Sequence, residues 1–199
     1  SIAALALIDL DAFKAINDFH GHRIGDAVIR HVAKLLQNCM PEVATVARLG
    51  GDEFAVFFAS DGAAAEDCLT RFLLRLAEPT EIDGCALKLG ASIGLTRLGT
   101  SRLAVECLRQ ADIAMYAAKK RGKMQIAIYD ESMEAPLREM IAVKDELFHA
   151  IEDKLITVKY QPIISAKTGE IEALEALARW TSPVRGNVAA DLFIKVAEE

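Results

Sequence analysis

The sequence predicts an α/β domain, with helices packed on a central mixed sheet, followed by a shorter β-rich stretch. Three observations carry this expectation. Strand-like and helix-like segments alternate as strand, helix, hairpin, helix, hairpin, helix, strand over roughly the first 130 residues. The chain has 199 residues, of which 52% are hydrophobic, enough to bury the core of one or two domains. In its middle, Arg48-Leu49-Gly50-Gly51-Asp52-Glu53-Phe54 places two glycines and two acids between strand-forming runs, Val43-Ala44-Thr45-Val46-Ala47 before and Phe54-Ala55-Val56-Phe57-Phe58 after. This reads as a hairpin with a chemical tip, Gly50-Gly51 supplying the positive φ of a two-residue turn. Taken alone, such a turn is usually just a solvated hairpin, and the rest of the chain is what argues for more.

Residues 2 to 8 form an apolar strand ending in Asp9-Leu10-Asp11. Period-two alternation sets Asp9 and Asp11 on one face, either as a solvated strand end or as a metal site at the strand's carboxyl terminus. Phe13 to Asp26 reads as a polar loop with Lys14 near its start and exposed amides for a phosphate, Asp26 opening a helix. Val28, Ile29, Val32, Leu35, Leu36 and Cys39 then repeat at helical spacing until Pro41. After the hairpin, Cys68, Leu69, Phe72, Leu73 and Leu76 mark a second helix over 62–77. Asp83-Gly84 signals a tight turn, leading to a strand over 89–96 whose Gly90 and Gly94 suggest close backbone approach. A third helix from about residue 101 carries Leu103, Cys107, Leu108, Ala111, Ala114, Met115 and Ala118 on its buried side, with Gly122 at its carboxyl end. Lys119, Lys120, Arg121 and Lys123 cluster there, either offsetting the helix dipole or facing an anion. A last strand over 124–129 closes this part.

Composition narrows the function. A net charge of −6 argues against non-specific nucleic-acid binding, so an anionic ligand needs a local basic pocket. No apolar run approaches the ~20 residues that cross a bilayer, and the first eight lack the basic flank of a signal sequence, so the expected location is cytoplasmic. Cys39, Cys68, Cys85 and Cys107 have no paired spacing and read as reduced core residues. His20, His22, His31 and His149 form no metal-ligand pattern. Asp9 and Asp52, brought together if the first strand lies beside the hairpin, would instead suit magnesium, which takes few protein carboxylates and fills its octahedron with phosphate and water.

Asp9-Leu10-Asp11-Ala12-Phe13-Lys14, Asn17-Asp18, Gly21-His22, Gly25-Asp26, the stretch 48–54 and Ala111-Asp112-Ile113-Ala114-Met115-Tyr116-Ala117-Ala118-Lys119 follow one another in the order and spacing of a GGDEF diguanylate cyclase domain, which residues 1–130 resemble. The resemblance implies a fold like the palm of nucleotide cyclases and polymerases, and a nucleotidyltransferase condensing two GTP into cyclic di-GMP and pyrophosphate. It further implies that Asp9, the Leu10 carbonyl, Asp52 and Glu53 hold two Mg2+ (or Mn2+) ions, with Asp52 and Glu53 catalytic. Asn17 and Asp26 would read the guanine edge, and Lys14, Lys119 and Lys123 would meet the phosphates. The family usually has arginine then asparagine where this chain has Lys123-Met124, which keeps the charge and loses the bidentate fork. Each domain would hold one GTP, so catalysis implies a homodimer. The family's inhibitory product site, an Arg-x-x-Asp, would fall on Pro41-Glu42-Val43-Ala44 and is missing, so product inhibition through that site is not expected.

Residues 131–153 read as an amphipathic linker helix, with Pro136 near its start and Met140, Val143, Leu147 and Ile151 on one side. Residues 154–199 are similar to the opening of an EAL phosphodiesterase domain. Tyr160-Gln161-Pro162, Glu175-Ala176-Leu177 and Arg179-Trp180 carry the likeness, which marks Gln161, Glu175, Leu177 and Arg179 as remnants of that site. The first two strands of an incomplete TIM-like barrel are expected, inactive as a phosphodiesterase. The whole resembles a fragment of a bifunctional bacterial second-messenger signalling protein, whose partners would be the rest of the EAL domain and an upstream sensory domain. Two functions compete: an active cyclase, or a GTP-binding domain that regulates the adjoining phosphodiesterase. The intact Gly50-Gly51-Asp52-Glu53-Phe54 and the intact Asp9, Asn17 and Asp26 favour the enzyme, because a site released from catalysis has no need of every metal carboxylate.

Overall fold

In the computed structural model, residues 3–59, 62–98 and 104–198 are described, and the chain divides into two compact units, residues 1–133 and 134–199. The first contains β1 (Ala4–Leu10), α1 (Phe13–His20), α2 (His22–Cys39), β2 (Ala44–Gly50), β3 (Glu53–Phe58), α3 (Gly62–Leu76), β4 (Thr80–Ile82), β5 (Cys85–Leu87), β6 (Ala91–Arg97), α4 (Ala104–Lys120) and β7 (Ile126–Ile128). A short 3-10 turn, Glu131–Met133, ends it. Leu103, expected on the third helix, lies outside the described residues.

Five strands form one sheet in the order β2-β3-β1-β6-β7, antiparallel except for β6 and β7. The parallel pair needs a crossover, and α4 provides it. β1 lies at the centre, and its two side-chain sets are both buried. Ala4, Ala6, Ile8 and Leu10 join the core under α2 and α3, whereas Leu5 and Leu7 meet Ala111 and Met115 of α4. A strand covered on both faces reads as an unbroken apolar run, which is what residues 2–8 show. By the same parity, Asp9 and Asp11 fall on the α4 side.

Gly94 sets the distance of α4 from the sheet. A Cβ there would overlap the Ala111 carbonyl oxygen and the Met115 amide nitrogen, so the close approach expected of this glycine is real. Next to it the buried Thr96 hydroxyl donates to Gln110 Oε1 at 3.0 Å, satisfying both groups where β6 meets α4.

Several expectations are corrected. Residues 13–26 are two helices separated by Gly21 (φ 82°), so most of their amides are spent inside helices and Asp26 lies in the second turn of α2. α1 has no fully buried residue; Phe13 and Ile16 only lean on the core, and eight residues give barely two turns in which a helical repeat can show. The hairpin turn is Gly51-Asp52, not Gly50-Gly51. Gly50 pairs with Glu53, Gly51 alone has positive φ (51°), and the register shift between Arg48 and Gly50 leaves Leu49 as the extra residue of a bulge. On α4, Leu108 is exposed. The Asp83-Gly84 turn does close a two-residue hairpin, both residues at positive φ, but β4 and β5 form a sheet of their own. Cys39, Cys68 and Cys107 are buried free thiols and Cys85 is half-buried.

The second unit comprises α5 (Glu134–Glu152), β8 (Ile156–Ile164), β9 (Ile171–Ser182), β10 (Gly186–Val188) and α6 (Ala190–Ala197). The helix expected as a linker is α5. It packs Val143, Leu147 and Ala150 against Trp180, Phe193 and Val196, while Ile151, expected on that side, is exposed. The strands pair antiparallel in the order β10-β9-β8. Pro162 is tolerated because β8 is an edge.

Candidate functional site

The site is built at the carboxyl end of β1, where the hairpin tip meets it. The β1–β3 register sets Asp9 directly opposite Glu53, and the Leu10 amide donates to the Asp52 carbonyl at 3.4 Å. Opposed residues of an antiparallel pair share a face, so two carboxylates stand side by side, an arrangement that costs free energy without a cation between them. The turn is braced by Arg48, whose Nε and a terminal nitrogen both donate to the Gly51 carbonyl, at 3.1 and 2.7 Å. Sequence reasoning gave Arg48 no role; its only signal was a cation three residues before a positive-φ glycine.

α4 delivers Lys119 to the same place. Its Nζ lies 2.8 Å from Asp9 Oδ2. Burial pushes the Asp9 carboxyl above its ordinary value; the Lys119 hydrogen bond and charge pull it down, and the charges of Asp52 and Asp11 push it up again. The net direction is up, so ionised Asp9 is under-compensated by its protein neighbours. Among the described residues no three His, Cys, Asp or Glu side chains converge as a closed metal cage. Two adjacent acids and a carbonyl nevertheless suit a hard cation that takes its other ligands from phosphate and water.

A raised acid pKa favours folding below the unfolded value, and that contribution is lost as pH rises through the folded one. In chelator-treated protein, Asp9→Asn is therefore expected to melt about a degree or more above the parent at pH 7, the gap closing as pH falls to about 4. A variant several degrees less stable at pH 7 would show instead that the Lys119 pair outweighs the burial.

Gly25, one residue before Asp26, lets Asn17 lie against α2. A Cβ at residue 25 would overlap Asn17 Oδ1 and stand 2.9 Å from its Cγ and 3.3 Å from Phe13 Cζ, so glycine is what lets α1 lay Asn17 against α2. Asp26 is exposed, open to a ligand. Lys14 is exposed on the first turn of α1, two residues after Ala12, which adopts a left-handed φ of 59°. Lys123 is exposed beyond α4, also at positive φ.

In the second unit Gln161 lies directly opposite Glu175, Lys159 opposite Leu177 and Thr157 opposite Arg179. Gln161, Glu175 and Arg179 are solvent-exposed and Leu177 is half-buried.

Known proteins resemble this chain in sequence and in fold. The family model described as "Diguanylate cyclase, GGDEF domain" matches residues 1–125, and that of the EAL domain matches residues 144–199. The bifunctional diguanylate cyclase/cyclic di-GMP phosphodiesterase MucR of Pseudomonas aeruginosa is 33% identical over 98% of this chain and 29% of its own length. The cyclic di-GMP phosphodiesterase PdeR of Escherichia coli is 35% identical over 96% of this chain and 29% of its own. An uncharacterised signalling protein of Caulobacter vibrioides is 38% identical over 98% of this chain and 25% of its own. The chain thus spans about a quarter to a third of the length of these relatives. Among solved structures, the GGDEF domain of YfiN (TpbB) from P. aeruginosa superposes with a TM-score of 0.62 at 33% identity, covering 65% of this chain and 83% of that one. The GGDEF domain of DgcB from Caulobacter crescentus, solved with c-di-GMP, gives 0.61 at 26% identity, covering 64% and 77%. No helix among the described residues is long and apolar enough to cross a membrane.

Proposed function

Because the chain belongs to the GGDEF diguanylate cyclase family, with a short EAL stretch following, we propose that its first unit condenses two GTP into cyclic di-GMP, releasing two pyrophosphates. The observation that carries this reading is the cross-strand pair Asp9–Glu53 at the hairpin tip with Lys119 against it. Each bond-forming step joins a ribose 3′-oxygen of one nucleotide to the α-phosphorus of the other and breaks the bond to the departing pyrophosphate. Such a step needs the hydroxyl proton removed and the phosphate charge held.

The residues divide that work. Asp9, Asp52, Glu53 and the Leu10 carbonyl would hold Mg2+ or Mn2+, which when bound neutralises phosphate charge and makes the 3′-hydroxyl easier to deprotonate. Asp52, on the braced turn, would assist as base for that proton or as a metal ligand. Lys119 would exchange Asp9 for the triphosphate, joined by Lys14 and Lys123. Asn17 and Asp26 would select guanine, the carboxylate accepting from N1–H and the exocyclic amine; adenine offers an acceptor at N1 and is rejected. With one nucleotide per domain, two chains must face each other. The second unit carries Gln161, Glu175, Leu177 and Arg179 as the remnant of a phosphodiesterase site that would not hydrolyse cyclic di-GMP in this chain, and the setting is cytoplasmic signalling.

Incubating the protein with GTP and magnesium and assaying for cyclic di-GMP tests the reading. Guanine-specific binding with no product would point to the regulatory alternative, and no GTP binding would overturn both. Gly25→Ala is an indirect probe of the base site. Alanine suits a helix better than glycine by about 1 kcal/mol, so the fold should survive, while the new methyl displaces Asn17. GTP affinity is expected to fall about tenfold and the preference over ATP to shrink, measured by calorimetry; unchanged selectivity would remove Asn17 from base recognition.

A further inference from the structure

We infer that Asp11 is a positioning residue for the phosphate-binding lysines and not a ligand of the metal beside it, an inference that rests on reading the site as a GTP site. Both of its carboxylate oxygens are engaged. The Ser92 hydroxyl, fully buried, donates to Oδ1 at 2.7 Å, and the Met124 amide donates to Oδ2 at 3.0 Å. Its own amide donates to the Gly90 carbonyl at 2.9 Å. One side chain therefore ties the end of β1 to the start of β6 and to the turn after α4.

That turn needs an outside hold. Lys123 (φ 62°) and Met124 (φ 49°) are consecutive non-glycine residues in the left-handed region, which side chains bearing a Cβ avoid. The bond from Met124 to Asp11 supplies the hold, and Gly90 leaves room for it, since a Cβ there would stand 3.2 Å from both Asp11 Oδ2 and Met124 Sδ. From the turn the connection runs back into α4. The Lys123 amide donates to the Ala118 carbonyl at 3.1 Å and the Gly122 amide to the Lys119 carbonyl at 3.4 Å, while Gln125 Nε2 donates to the carbonyls of Ala118 and Lys123. Lys119, in the last turn of α4, and Lys123, in the turn itself, are the two cations assigned to phosphate, and Asp11 fixes the conformation of that turn. Asp9, two residues earlier on the same face, faces Lys119 instead.

The experiment compares the parent chain with Asp11→Ala and Asp11→Asn by three readouts: amide hydrogen exchange at Lys123 and Met124, calorimetric GTP affinity, and Mn2+ binding without nucleotide. Asp11→Ala is expected to unprotect the Met124 amide and weaken GTP about tenfold, with Mn2+ binding unchanged. Asp11→Asn should stay within about twofold of the parent throughout, because its amide oxygen still accepts from Met124 while its NH2 can donate to the Ser92 oxygen. A metal ligand would behave otherwise: both variants would lose Mn2+, and the asparagine would be as damaging as the alanine. That result, or a Met124 amide equally protected in Asp11→Ala, overturns the inference. Should the alanine variant not fold, the asparagine variant decides alone. If the parent binds no GTP, the functional reading fails, whereas amide exchange still reports whether Asp11 holds the turn.

Discussion

Replacing Glu53 or Asp52 with alanine is expected to lower cyclic di-GMP formation by about 100-fold or more while leaving the melting temperature where it was or slightly higher. The size follows from metal sites generally, where removing even an outer-shell partner typically costs about 10- to 100-fold and a direct ligand costs more. The thermal behaviour follows from the geometry. Glu53 is exposed and stands opposite Asp9, so its loss removes a like-charge pair and leaves no cavity. Asp52 occupies a turn braced by Arg48 through the Gly51 carbonyl, a contact that does not involve the Asp52 side chain. Initial rates with saturating GTP and magnesium, paired with thermal melts, give the answer. Parent-like turnover in either variant would take that acid out of the chemistry; a large drop in melting temperature would mean that lost activity reported only lost fold.

Gly94→Ala should be the most damaging small change in the first unit, costing about 2–3 kcal/mol or more and lowering the melting temperature by about 5–10 °C. The new methyl would meet the Ala111 carbonyl oxygen and the Met115 amide nitrogen, both backbone, so no side-chain rotation relieves the overlap and α4 itself must move. That outweighs the gain of about 0.4–1 kcal/mol that alanine ordinarily brings by restricting the unfolded chain. Because α4 carries Lys119, the surviving folded fraction should also bind GTP more weakly. Gly50→Ala is the control: nothing lies within 4 Å of its would-be Cβ and its φ is not positive, so it should melt like the parent. Equal stability of the Gly94 and Gly50 variants would mean that α4 can move away from β6 without penalty.

Sequence alone determined what depends on local period and local chemistry. β1 and β3 were legible as short unbroken apolar runs and α3 because its apolar residues repeat at 3.6, and Asp83-Gly84 announced its turn through a conformation that most residues avoid. The candidate acids and lysines were legible too, since a motif keeps its order along the chain whatever the fold does with it. Tertiary structure decided the rest. α1 is only eight residues long and holds together chiefly by leaning Phe13 and Ile16 on the core, so its own sequence resembled a loop. The turn slid to Gly51-Asp52 because a bulge at Leu49 changed the register, a choice made by pairing across strands. Asp9 and Asp11 look alike in the sequence, two residues apart on one face. Only folding separates them: α4 brings Lys119 to Asp9, whereas Ser92 and Met124, 81 and 113 residues away along the chain, close on Asp11. A carboxylate's role is set by which donors reach it through space, and sequence spacing does not contain that information.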